Sequence, residues 1–111
     1  MDRTRKKALI AAYKERKRAA GIYAVTCTAT GAAWVGGTMT LDTVENRLWF
    51  TLRGGGNPHR SLQQAWNTYG ADSFRFEKLE QFRHDLSALA LDRLSKERLA
   101  YWVEARQAQV I

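Results

Sequence analysis

An α/β fold of the α+β type is expected from this chain: a small, three-stranded, mostly antiparallel sheet flanked by helices, with an extra basic helix at the N-terminus. Three observations lead there. Residues 22–28 and 33–36 are rich in β-branched and aromatic side chains on either side of a short turn, as in a hairpin. Residues 74–80 set Phe74, Phe76 and Leu79 against Arg75 and Glu77, as a third half-buried strand would. The remaining stretches carry helical spacing and end at glycines.

The length of 111 residues fits one domain, able to bury roughly 65% of its unfolded surface without staples. Cys27 is the only cysteine, which excludes an internal disulfide and points to a reducing compartment, with a cytoplasmic location as the expectation. No apolar run reaches 18 residues, so a membrane span is not expected. Net charge is +7, and its placement is uneven. Residues 1–20 hold eight Lys and Arg against Asp2 and Glu15, which leaves +6 in that segment. Such an arm suits a polyanion, and nucleic acid is the expected partner. Its apolar face, Leu9 and Tyr13, is too thin for stable membrane insertion.

In chain order, residues 3–19 read as a helix rich in Ala, Lys and Arg, stopped by Gly21. Residues 1–20 are thus taken as a basic helix and residues 21–111 as the main domain. The hairpin follows, with Gly31 supplying the turn's positive φ. Leu41 to Arg53 is a helix with Asp42 or Thr43 as N-cap and Val44, Leu48 and Leu52 on one face. Gly54-Gly55-Gly56 breaks the chain, and Asn57-Pro58 opens a second helix as N-cap and first turn. That helix stops near Gly70, the third strand follows, and residues 85–108 form a last helix with Asp85 as N-cap.

On that last helix, at about 100° per residue, Leu86, Ala90, Leu94 and Tyr101 form one stripe with Glu97 in its middle. A carboxylate facing a core is costly unless it is paired or holds a metal. Either Arg93 or Arg47 pairs with it, or it is a ligand.

The stretch GIYAVTCTATGAAWVGG resembles the paired motif of the GIY-YIG nuclease family, with Trp34 where the second tyrosine usually stands. An ordered set extends the resemblance over most of the chain: Arg47, the run Leu62 to Gly70, the Phe-rich strand from Phe74 to Gln81, and Glu97. The resemblance implies a metal-dependent endonuclease acting on DNA. Tyr23 would help deprotonate the attacking water. Trp34 would offer only an N–H beside the phosphate, where the family has a hydroxyl. Gly36 would permit close approach of the backbone. Arg47, with Arg53 as fallback, would stabilise phosphate charge through its planar fork. Glu97 would bind Mg²⁺ or Mn²⁺, hard ions served by a lone carboxylate with waters and phosphate oxygens.

Two departures leave a second reading open. Anchored instead on Tyr101-Trp102-Val103, the family's ligand position falls on Leu99, which describes a degraded nuclease that binds nucleic acid without turnover. The family's asparagine beyond the last helix is also missing, with only Gln109 near its place. The stripe places Leu99 on the opposite face, which favours Glu97. The expected backbone contacts are Lys6, Lys7, Lys14, Lys17 and Arg18 on the basic helix, with His59 and Arg60 at the start of the second predicted helix of the main domain. His59 is also a candidate accessory acid or base. The Gly54–Ser61 run is not a P-loop, since no Gly-Lys-Ser/Thr follows. Trp49, Trp66 and Trp102 read as core side chains rather than base-stacking platforms. A lone domain of this size would take specificity from a protein partner or from a second copy.

Overall fold

A computed structural model describes residues 19–111. The expected basic helix lies outside the described residues, and with it Lys6, Lys7, Lys14, Lys17 and Arg18. The two residues before Gly21 that are described are not helical: Ala19 makes a parallel bridge to Thr40, and Ala20 is buried.

Strands β1 (Gly21–Cys27) and β2 (Ala33–Thr38) form the expected antiparallel hairpin, pairing Tyr23 with Gly36 and Val25 with Trp34. Gly31 takes φ 79° in the turn, where a β-carbon would be strained. Helices α1 (Leu41–Arg53) and α2 (Arg60–Tyr69) follow, then β3 (Phe74–Gln81), α3 (Ala88–Arg106) and β4 (Gln109–Val110). The sheet order is β3-β1-β2-β4, so the hairpin is central and the helical excursion returns the chain to the free edge of β1. β3 is antiparallel to β1, and β4 is parallel to β2. The sheet therefore has four strands, not three. The last, two residues long, carries no alternation by which sequence could reveal it.

Because β1 is covered on both faces, six of its seven residues are buried. One face carries Tyr23, Val25, Cys27 and Trp34 under α1 and α2, where Val44, Leu48, Leu52 and Leu62 pack. The other carries Ile22, Ala24 and Val35 under α3, with Phe82 and Leu91. Gly21 is required at the start of β1: a β-carbon there would lie 2.0 Å from the Glu80 carbonyl oxygen. The register of β1 against β3 shifts between Ile22 and Tyr23, right beside it.

The helix starts differ from expectation by local hydrogen bonding. Thr40, not Asp42 or Thr43, is the N-cap of α1. At α2 the N-cap is His59, because the Asn57 side-chain oxygen accepts the His59 N–H at 2.9 Å and makes a turn before the helix. Buried Gln63 holds that turn: its oxygen accepts the Asn57 N–H, and its amide donates to the Leu52 carbonyl and to Asn67. Ser87 caps α3, accepting the Ala90 N–H, while Asp85 pairs with Arg83. No helix among the described residues is long and apolar enough to cross a membrane.

Candidate nucleic-acid site

Pairing Tyr23 with Gly36 sends the tyrosine ring across a residue that has no side chain. A β-carbon on Gly36 would come within 2.7 Å of the Tyr23 hydroxyl. The ring is held from the other side by Phe76, stacked at 5.6 Å. Burial pushes the Tyr23 phenol above its usual range, and the positive charge of Arg47 opposes part of that shift. Tyr23 is therefore a neutral hydrogen-bond donor at physiological pH. Arg47 stands on the exposed side of α1 and donates to the Thr40 hydroxyl at 3.0 Å. Tyr23 and Gly36 are thus in contact, and the charge of Arg47 acts on the phenol. Arg53, the fallback, lies one and a half turns along the same helix.

Trp34 does not join them as a donor. Only 2% exposed, it gives its indole N–H to the Ser61 hydroxyl at 2.8 Å. Ser61 in turn donates to the Gln109 side-chain oxygen at 2.8 Å and lies 3.2 Å from His59 Nδ1. His59 Nε2 is 3.0 Å from the Val110 carbonyl. Both nitrogens of His59 are engaged in fixing β4 beside β2, so the ring is not presented as a phosphate contact. Arg60 next to it is exposed. Sequence reasoning missed Ser61 as the acceptor of the Trp34 N–H, and Gln109 as the acceptor of the Ser61 hydroxyl. A buried indole needs an acceptor, and that need was the available signal.

The stripe expected through Glu97 does not match the packed face of α3. Glu97 is exposed, and no hydrogen bond or ion pair joins it to Tyr23 or Arg47. The buried and half-buried side chains of α3 are Leu91, Leu94, Ser95, Arg98, Leu99, Trp102 and Val103. The stripe chosen from sequence fails because Leu86 precedes the helix, Ala90 is exposed, and Tyr101 is 51% exposed. The charged residue that does face inward is Arg98, one position on. It makes a two-pronged bond to Glu80 on β3, whose carboxylate also accepts the Trp102 N–H. Leu99 faces inward, lining a groove with Gly37, Thr38 and Met39 at the end of β2.

Tyr23, Gly36 and Arg47 themselves bring no carboxylate to a divalent metal. At the end of β2 the groove takes Ala88, Leu91, Asp92, Ser95 and Leu99 from α3, so Asp92 is the one carboxylate there. Among the described residues no group of three or more His, Cys, Asp or Glu could hold an ion.

Neither family models nor curated proteins give a match to this sequence. Two solved structures do resemble the protein. One is the catalytic domain of homing endonuclease I-TevI, at TM-score 0.69 and 22% identity, covering 83% of this chain and 97% of that one. The other is the catalytic domain of intron endonuclease I-TevI with a glutamate-to-alanine substitution, at TM-score 0.65 and 23% identity, covering 79% and 84%. At such identity the likeness speaks for fold. Together with the hairpin motif at Tyr23 and Gly36, it identifies the domain as one with the GIY-YIG fold.

Proposed function

We propose that this protein binds the phosphate backbone of nucleic acid, DNA in particular, at the Tyr23–Gly36–Arg47 surface, and that it does so without metal-dependent hydrolysis. One observation carries the reading. The phenol lies over a glycine with the charge of Arg47 acting on it, while α3 packs on the opposite layer of the sheet and leaves Glu97 exposed. A neutral phenol and a guanidinium are both donors, and phosphate oxygens are acceptors. The excess of cations in residues 1–20 supports the same class of partner and adds a sequence-independent, salt-sensitive contribution.

A metal-dependent endonuclease that hydrolyses DNA phosphodiester bonds with Mg²⁺ or Mn²⁺ on Glu97 is the second reading. Two features favour it: both similar structures are catalytic domains of an endonuclease, and Tyr23 and Arg47 are retained. Titration of a labelled DNA duplex tests the first reading. Arg47→Gln should weaken binding about tenfold or more, and Tyr23→Phe by less, since each removes donors to phosphate. Unchanged binding in Arg47→Gln would remove the surface from the interface.

A further inference from the structure

Trp49 and Trp66 pack against the core as expected but stay half-buried, and both also line a groove. Its volume is about 380 Å³, and its walls include Glu45, Trp49, Arg53, Trp66, Arg75 and Phe76. That size falls within the span of about 300–1,000 Å³ common for small-ligand sites. The two indoles stack at 5.6 Å with 28° between their planes. Trp49 also meets Phe76 edge-on at 6.4 Å, and Phe76 stacks on Tyr23. An unbroken aromatic row therefore runs from the Tyr23–Arg47 surface to the groove. Glu45 accepts the Trp49 N–H at 3.1 Å, which fixes that indole in place. Arg53 and Arg75 are exposed at the groove and outnumber its one carboxylate, already hydrogen-bonded to Trp49.

Packing a core requires neither half-exposed indoles nor two guanidiniums at their margin. That combination suits an unpaired nucleic-acid strand: π-faces hold bases, and arginines hold the phosphates on either side. A fully paired duplex keeps its base faces stacked inside and offers none of them to an indole.

We infer that this groove is a stacking subsite for an unpaired DNA base, with Arg53 and Arg75 on the adjoining phosphates. The inference rests on the reading that the Tyr23–Arg47 surface binds DNA phosphate, and it adds a substrate class: DNA with an unpaired segment. Fluorescence anisotropy with labelled oligothymidylate and with a labelled paired duplex of equal length tests it. Trp66→Leu and Arg75→Gln should each weaken oligothymidylate binding about tenfold and duplex binding less than about twofold. Arg75 is exposed, so its variant keeps the test sound if removing the indole unfolds the domain; circular dichroism melts establish which variants are folded. Equal weakening of both DNA forms, or no change in either, overturns the subsite. Thymidine monophosphate competing as well as the oligomer, at equal base concentration, overturns the strand assignment. Arg47→Gln separates the two layers of inference. If duplex binding depends on Arg47 while the groove variants bind both forms normally, only the subsite fails. If the wild-type protein binds neither DNA form, the functional reading fails first.

Discussion

A methyl group on Gly36 would lie 2.7 Å from the Tyr23 hydroxyl oxygen and 2.8 Å from the ring carbon that bears it. Phe76 stacks on that ring, so it cannot simply step aside. Gly36→Ala should therefore destabilise the fold by about 1–3 kcal/mol, as overpacking does, and turn the phenol away from Arg47. Chemical denaturation and duplex titration of the same variant check both effects; an unchanged midpoint and unchanged binding would contradict the contact. Binding at this surface should also be flat up to about pH 9, because Tyr23 acts as a neutral donor and its phenol titrates above its ordinary value near 10. Affinity rising with pH over that range would indicate that the tyrosinate is the working form. At this scale the sequence was readable where a motif fixes a neighbour. Tyr23 and Gly36 face each other across the hairpin, and Arg47 acts on the phenol through its charge. Trp34 was misjudged because its hydrogen-bond partner, Ser61, is 27 positions away and nothing local points to it.

Helix α3 shows what periodicity alone misses at the scale of an element. A helix wheel has no origin unless the first residue is known, and Ser87, not Asp85, starts this one. Choosing the stripe through Leu86 turned the wheel by about one residue and brought Glu97 inward in place of Arg98. The consequence is measurable. Arg98 holds the Glu80 carboxyl below its usual range, chiefly through the hydrogen bonds it donates, with a smaller contribution from Trp102. A carboxylate depressed in the folded state contributes stability that is full above its unfolded value and is lost as pH falls through the folded one. Glu80→Gln should therefore cost about 1 kcal/mol at pH 7, the worth of a charged hydrogen bond discounted for partial exposure. The difference from wild type should shrink below about pH 4. Urea unfolding at the two pH values checks this, and a pH-independent difference would deny the Glu80–Arg98 bond its role. By contrast, α1 was legible to the residue, because Leu41 and Gly54 bracket a strong apolar face. The two-residue β4 was not, since its place depends on the His59, Ser61 and Gln109 contacts.

At the scale of the whole molecule, the sheet divides the chain's chemistry between two faces. Tyr23 projects into the layer under α1 and α2, whereas α3 packs on the layer of Ile22, Ala24 and Val35. A carboxylate on the exposed side of α3 is therefore not brought to the phenol by the fold itself. The fold was readable because the hairpin, the Phe-rich strand and three helices occur in the order that the structure repeats. The site was only partly readable, because which face of α3 meets the sheet is decided by packing. Incubation of supercoiled plasmid with the protein in Mg²⁺ or Mn²⁺, resolved on a gel beside a binding titration of the same DNA, decides between binding and turnover. The structure predicts DNA that is bound, with affinity falling steeply as salt rises, yet remains supercoiled. Metal-dependent nicking that Glu97→Ala abolishes would contradict it and restore the carboxylate to the site.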